Sequence, residues 1–134
     1  MMLDKEQIDM WDYYDPTGEV RAQELEDQQI RDCYMFMEYQ QEVEKLVITD
    51  GETRLVENTL GLLGEAGEVA EKIKKYFRDG ILDTNEITKE IGDVLFYVTA
   101  LSSYFNVDLS EVALKNRDKL KDRKKRGVIQ GSGD

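Results

Sequence analysis

The sequence contains no histidine, one cysteine and one proline, and each shortage excludes a class of structure or chemistry. Without histidine there is no imidazole general base, nucleophile or metal ligand, which excludes most zinc enzymes. Cys33, the single cysteine, cannot form an intrachain disulfide or a paired-thiol redox motif. Residues 17–134 contain no proline, and this absence favours long uninterrupted helices.

Long hydrophobic runs are also missing. The longest apolar stretch, from Val94 to Leu101 with Thr99 inside it, is too short to span a bilayer. The N-terminus lacks the basic and then apolar pattern of a secretory signal peptide. From these two features we expect a soluble, cytoplasmic protein that has no membrane partner.

Acidic residues outnumber basic ones by 29 to 18, which gives a net charge of −11. The excess is uneven, because residues 1–71 carry a net charge of −14 and residues 72–134 carry +3. So acidic a chain is a poor duplex nucleic-acid binder, since that binding depends on Lys and Arg neutralising phosphates. A small ligand whose phosphates arrive with Mg²⁺ is compatible with the charge.

The pattern of apolar residues predicts an all-α fold in a single domain, with four helices at about 22–49, 53–79, 84–105 and 109–126. Gly80 and Gly127 are the expected stops of the second and fourth helices, and Asp83 and Asp108 are the expected side-chain caps of the third and fourth. Short connections favour a four-helix bundle-like arrangement. We expect residues 1–21 to form an N-terminal arm of unknown role, 22–126 the domain, and 127–134 a flexible tail.

Two short acidic motifs carry most of the functional information: Glu65-Ala66-Gly67-Glu68-Val69 and Glu90-Ile91-Gly92-Asp93-Val94. In each motif two carboxylates lie three residues apart, so they are neighbours on one face of a helix. The motifs repeat at an offset of 25 residues, and the apolar stripes beside them match as well. If those stripes share one core, the four carboxylates converge along its side. Uncompensated, they would raise one another's pKa, so a divalent cation held by oxygen ligands is the expected resolution.

Glycines interrupt the second predicted helix at Gly61, Gly64 and Gly67. Each costs about 1 kcal/mol relative to alanine in a helix interior, so their presence needs a reason. Close approach of another helix or of a ligand would supply one, and a break in the helix near Gly61 is the alternative.

The last predicted helix carries eight basic residues between 115 and 126. Lys115, Lys119 and Arg123 lie four apart on one face, with Asn116 beside them, and this set forms a basic ridge. Such a ridge is often only a solvated face, but it can also hold phosphate oxygens. Nucleic-acid binding is the weaker alternative because the rest of the chain is acidic.

Together these motifs resemble the MazG-like nucleoside triphosphate pyrophosphohydrolases of the all-α NTP pyrophosphatase superfamily. Glu65-x-x-Glu68 followed by Glu90-x-x-Asp93 is similar to the ExxE…ExxD pattern of that family. The segments around the acids, 62–69 and 92–97, are similar to its two motif helices. Asn116-x-x-Lys119-Leu120-x-x-Arg123 resembles its C-terminal basic motif, and Tyr39-Gln40 its first-helix Tyr-Gln. The resemblance covers residues 36–134.

The resemblance implies Mg²⁺-dependent cleavage of a nucleoside triphosphate (NTP or dNTP) between the α and β phosphates, with Mn²⁺ as a substitute ion. It implies Mg²⁺ ligation by Glu65, Glu68, Glu90 and Asp93, with Glu65 or Glu68 as the general base. Tyr97, on nearly the same helix face as Asp93, is the candidate for contact with the base or sugar of the nucleotide. The candidates for binding the phosphates are Lys115, Asn116, Lys119, Arg123 and Lys72.

The resemblance further implies a homodimer or homotetramer with sites near the subunit interfaces. Two alternatives for function stay open at this stage. One is a non-catalytic helical module that binds nucleotide or protein. The other is a superfamily member specific for dUTP or phosphoribosyl-ATP.

Overall fold

The computed structural model describes residues 19–128, and within that range the chain is entirely helical and loop, with no strand. The four helices are α1 (Glu19–Leu46), α2 (Gly51–Asp79), α3 (Thr84–Tyr104) and α4 (Leu109–Lys125). The all-α prediction with four helices is therefore confirmed. The predicted arm lies outside the described residues as far as residue 18, and the predicted tail from residue 129 onward. The proposed domain limits stay predictions.

The helix stops follow the local sequence closely. Gly80 and Gly127 adopt left-handed φ values of 75° and 72°, and the Gly80 N–H donates to the carbonyl of Tyr76. A side chain is strained at such a φ, so glycine is the residue that ends a helix this way. Asp83 caps α3 as predicted, because its side chain accepts from the N–H groups of Asn85 and Glu86. The end of α1 was predicted too late, since α1 ends at Leu46 and Asp50 is the N-cap of α2.

The prediction for the start of α4 was wrong in one respect. Asp108 occupies the N-cap position, but its side chain makes no capping hydrogen bond. The amide of Gln40, on α1, takes that role from outside the helix, because its Oε1 accepts from the Leu109 N–H at 2.7 Å. Its Nε2 donates to the Ser103 hydroxyl and to the Val107 carbonyl, each at 3.0 Å. Gln40 thus joins α1 to the whole turn between α3 and α4.

The contacts divide the chain after Tyr34 into two units. In the first unit the described part is the beginning of α1, where the side chains of residues 23–32 are exposed. The second unit contains the rest of α1 and the other three helices. In this unit α2 and α3 run antiparallel and make the most extensive contact, and α3 meets α4 near their connection. Its most buried residues include Val43, Thr99, Ala100 and Leu109.

An ion pair joins α1 to α2 beside this core. The Arg54 guanidinium donates to both carboxylate oxygens of Glu44, at 2.7 and 2.5 Å. The hydrogen bond to Arg54 is the main reason why the pKa of Glu44 lies below its usual value. Arg54 also lies 3.4 Å from the Ala100 carbonyl on α3, so it contacts all three helices. None of the described helices combines the length and the apolarity needed to cross a membrane.

Candidate metal centre

Three of the four predicted acids meet where α2 faces α3. Glu65 on α2, and Glu90 and Asp93 on α3, each offer a carboxylate oxygen, and these oxygens lie within 4.8 Å of one another. The antiparallel pairing of α2 with α3 produces this convergence, because it sets the face carrying Glu65 opposite the face carrying Glu90 and Asp93. Glu65 and Glu90 are partly buried, whereas Asp93 is exposed. We call this group of three residues the acidic centre.

The acidic centre suits a small divalent cation. Mg²⁺ binds oxygen ligands at about 2.1 Å, so two ligands on opposite sides of the ion lie roughly 4.2 Å apart. Oxygens already within 4.8 Å need only small side-chain rotations to reach that spacing. The donors are all hard carboxylates, which favours Mg²⁺ or Mn²⁺ over a thiophilic metal.

The charges of the acidic centre act on Glu65 in particular. The pKa of Glu65 is raised, first by partial burial and then by the carboxylates of Asp93, Glu90 and Glu68. Glu68 is close enough to contribute to this shift, but it is not one of the three residues whose oxygens converge. It is exposed at the edge of the acidic centre.

The raised pKa of Glu65 leads to a stability prediction. A carboxyl whose folded pKa exceeds the unfolded value, here 4.5, stabilises the fold below that value and loses this contribution as pH rises through the folded pKa. Without divalent ions we therefore expect Glu65→Gln to stabilise the chain at pH 7 and to change little at pH 4. Urea denaturation in EDTA at both pH values measures this.

The same experiment with Mg²⁺ provides the control. Mg²⁺ binds deprotonated carboxylates of the folded state, so it should raise the urea midpoint of the wild-type chain at pH 7 more than at pH 4. Glu57→Gln, which neutralises an exposed acid of α2 outside the acidic centre, should respond to Mg²⁺ like wild type. Equal midpoints of wild type and Glu65→Gln at pH 7 in EDTA would contradict the prediction.

Lys72 is a built-in counter-ion of the acidic centre. Its Nζ lies 3.3 Å from a carboxylate oxygen of Glu90 and 3.3 Å from one of Glu86. These hydrogen bonds, first to Glu90 and then to Glu86, raise the pKa of Lys72. The ammonium therefore offsets part of the negative charge and occupies one oxygen of a candidate metal ligand. The sequence pattern placed Lys72 among the phosphate-binding candidates and gave no signal for this pairing.

Tyr97 lies against the backbone of α2. A Cβ atom placed on Gly61 would overlap Cε1 and Cζ of the Tyr97 ring and lie 2.7 Å from its Cδ1. The expectation that a glycine of α2 permits close approach is therefore correct for Gly61, and α2 continues unbroken through it. Apart from the backbone of α2 itself, no atom of the described residues lies within 4 Å of a Cβ placed on Gly64 or on Gly67.

Two further residues, one within electrostatic range of Asp93 and one two helical turns from Glu65 on the same face of α2, were not in the predicted site. The pKa of Tyr39, on α1, is raised by burial and then by the negative charge of Asp93, so its hydroxyl lies within electrostatic range of that carboxylate. Asn58 is 5 % exposed on α2, and its Nδ2 has no hydrogen-bond partner among the described residues. Its spacing of seven residues from Glu65 places both on one face of α2, which is the signal that could have found it.

The basic ridge on α4 is formed as the spacing predicts, since residues 115–123 are helical throughout. Lys115 is exposed and pairs with Glu111 one turn earlier, at 2.5 Å. Asn116 and Lys119 are exposed, and Arg123 is partly buried. The acidic centre and Lys72 lie between α2 and α3. The side chain of Lys115, by contrast, forms its ion pair with Glu111 within α4.

An open apolar groove of about 260 Å³ lies between α2, α3 and α4. Leu62 on α2 and Val98 on α3, which follow Gly61 and Tyr97 in the chain, line it together with Phe105 and Val112. An apolar groove suits a flat, weakly polar part of a ligand.

Comparison with known proteins identifies the class to which this fold and site belong. Residues 55–128 match the model of the MazG nucleotide pyrophosphohydrolase domain, a match that contains all four motif acids and the basic ridge. The chain therefore belongs to the MazG nucleotide pyrophosphohydrolase family. Among curated proteins, "Gene 37 protein" of Mycobacterium phage L5 is 49% identical over 81 residues, covering 57% of this chain and 71% of that protein. No solved structure matches the chain significantly.

Proposed function

We propose that this protein hydrolyses a nucleoside triphosphate between the α and β phosphates, releasing a nucleoside monophosphate and pyrophosphate in a Mg²⁺-dependent reaction. The family assignment supports the class of hydrolase. The observation that carries the proposal is the convergence of Glu65, Glu90 and Asp93 within a MazG domain. A purely structural helix pair gains nothing from three carboxylates brought together, because they repel one another.

The acidic centre is the site that we assign to the metal. Bound there, Mg²⁺ would neutralise the phosphate chain and lower the pKa of a coordinated water. Glu65, Glu90 and Asp93 supply the ligand oxygens, and Lys72 keeps Glu90 in place. Glu68 has its oxygens outside the convergent group, so of the two candidate bases it is the better placed to accept a proton from the attacking water.

The remaining candidates divide between the two ends of the nucleotide. Tyr97 lies one helical turn after Asp93 on α3 and suits the sugar or base of the nucleotide. Lys119 and Arg123, with Asn116 and Lys115, present donors on α4 that suit phosphate oxygens which the metal leaves uncovered.

The proposal is tested by pyrophosphate release from a panel of NTPs and dNTPs that includes dUTP, with phosphoribosyl-ATP as a further substrate. We expect release of pyrophosphate and monophosphate in Mg²⁺ or Mn²⁺ and none in EDTA. Hydrolysis of dUTP alone, or of phosphoribosyl-ATP alone, would identify the chain as a superfamily member that is specific for that substrate. No turnover of any substrate would contradict the proposal, and calorimetry of Mg²⁺–nucleotide binding would then test for a non-catalytic module.

We also propose that the chain forms a homo-oligomer through the face of α2 that points away from α3. Val56, Leu60 and Leu63 on this face are 55, 62 and 66 % exposed, and Phe77 is 82 % exposed. Val56, Leu60, Leu63, Gly67 and Ala70 follow alternating steps of four and three residues, the spacing of a coiled-coil seam. Phe77 stands one heptad after Ala70, and the seam position between them is occupied by Lys74. Such a seam is complementary to a second copy of itself, and the two small residues allow two α2 helices to approach closely.

Light scattering during size-exclusion chromatography tests this assembly. We expect the wild-type protein to have a mass that is a multiple of 15.5 kDa, and Leu63→Glu to shift it toward 15.5 kDa by placing a charge in the seam. Ile81→Glu, which changes a residue 79 % exposed outside the seam, is the matched control and should keep the wild-type mass. A wild-type mass of 15.5 kDa would overturn the proposal.

A further inference from the structure

Gly61 and Tyr97 form a contact between α2 and α3 that adjoins the acidic centre. Gly61 is four residues before Glu65 on α2, and Tyr97 is four residues after Asp93 on α3. The pair therefore lies one helical turn from the convergent carboxylates on both helices. The tyrosine ring lies against the backbone of α2 at Gly61 and is partly buried there.

We propose that Gly61 is a positioning residue of the nucleotide site and that it acts through Tyr97. Its lack of a side chain lets the ring lie against α2, and this sets where the ring stands beside the acidic centre. The inference rests on the proposed function, because a bound nucleotide is what makes the position of the ring matter. It assigns to Gly61 a role in substrate binding without direct contact to substrate.

The comparison with the other glycines of α2 supports a specific reason for Gly61. Glycine in a helix interior costs about 1 kcal/mol relative to alanine, so each such glycine needs an explanation. An added Cβ has open space at Gly64 and at Gly67, but at Gly61 it overlaps the Tyr97 ring. The atoms that it meets belong to a side chain that can rotate, so a shift of the Tyr97 ring, without a change of the α2 backbone, can accommodate alanine at 61. The ring, however, must then leave its place.

The test compares kcat and KM for the best nucleotide of the panel, in Mg²⁺, between wild type, Gly61→Ala and Gly64→Ala. We expect Gly61→Ala to raise KM roughly tenfold, which corresponds to about 1.4 kcal/mol of binding, with a smaller change in kcat. Gly64→Ala is the matched control, because it makes the same chemical change in the same helix without meeting any atom, and both of its constants should stay at wild-type values.

A double-mutant cycle tests whether the effect of Gly61→Ala on KM depends on the Tyr97 ring. In a Tyr97→Ala background the clash is gone, so Gly61→Ala should cause no further change in KM. In a Tyr97→Phe background the clashing ring atoms remain, so Gly61→Ala should still raise KM. If Gly61→Ala does not fold, as judged by circular dichroism, the Tyr97→Ala pair replaces it. If the KM of Tyr97→Ala then equals that of wild type, the proposal is overturned, because a ring without effect on binding leaves Gly61 nothing to position.

Three further outcomes would overturn the inference. An active Gly61→Ala variant with the KM of Gly64→Ala would show that the ring position has no effect on binding. A rise in KM that persists in the Tyr97→Ala background would show that Gly61 acts by another route. No turnover by the wild-type protein itself would be a failure of the proposed function, which is distinguishable because the first two outcomes require an active wild type.

Discussion

Asp93→Asn is expected to reduce Mg²⁺-dependent pyrophosphate release by about 10²–10³-fold, the loss typical of removing one preorganised electrostatic group from an active site. Asparagine keeps the size of the side chain but removes the charge of one of three convergent ligands. Glu65→Gln and Glu90→Gln should have effects of similar size for the same reason. The measurement is pyrophosphate release at a series of Mg²⁺ concentrations.

The Mg²⁺ dependence separates the ligands from the general base. Loss of a ligand should move the half-saturating Mg²⁺ concentration upward, whereas Glu68→Gln should lower kcat and leave the Mg²⁺ dependence nearly unchanged. Glu57→Gln is the matched control, since it neutralises an exposed acid on the same helix as Glu65, outside the acidic centre. If Asp93→Asn and Glu57→Gln released pyrophosphate equally fast, the acidic centre would not be the catalytic site.

Gln40→Ala is expected to lower the free energy of unfolding by about 2–4 kcal/mol. The change removes three hydrogen bonds, each contributing roughly 1 kcal/mol, and leaves the Leu109 N–H at the start of α4 without its acceptor. Ser103→Ala, which removes one of the three together with the Ser103 hydrogen bond to the exposed Glu44, should cost less. Urea denaturation at fixed protein concentration measures both variants, because an oligomer's stability depends on concentration.

Two further variants test whether the loss of the amide hydrogen bonds explains the effect of Gln40→Ala. Gln41→Ala changes the neighbouring exposed glutamine and should stay within about 0.5 kcal/mol of wild type. Gln40→Glu keeps an acceptor for the Leu109 N–H but turns a carboxylate oxygen toward the Val107 carbonyl, so at neutral pH it should also be destabilising. A Gln40→Ala variant as stable as Gln41→Ala would show that α4 holds its position without this amide.

Local features of the fold could be predicted from the sequence. The helix stops at Gly80 and Gly127 and the cap at Asp83 agree with the structure, because each depends on a few neighbouring residues. The convergence of the two acidic motifs was accessible in part. Their equal offset from the apolar stripes predicts that all four carboxylates converge, and the structure brings together those of Glu65, Glu90 and Asp93.

Features that join distant parts of the chain could not be predicted from the sequence. The cap of α4 was assigned to Asp108, yet Gln40 provides it from 69 residues away. The pattern treated the four motif acids alike, whereas the structure separates Glu68 from the three that converge. The apolar stripe beside the second motif consists of Ile87, Ile91, Val94, Leu95 and Val98. Two of these residues, Ile91 and Leu95, are exposed, which the period of the pattern could not show.

The helices, most of their ends and the four acids on two matching faces could therefore be predicted from the pattern of residues, since helical periodicity and caps are properties of neighbouring residues. The tertiary structure was needed to show which three acids share a centre, that Lys72 neutralises part of it, and that Gly61 lets Tyr97 lie beside it. These relations depend on the axial offset of α2 against α3, and that offset is set by side-chain packing across the whole interface.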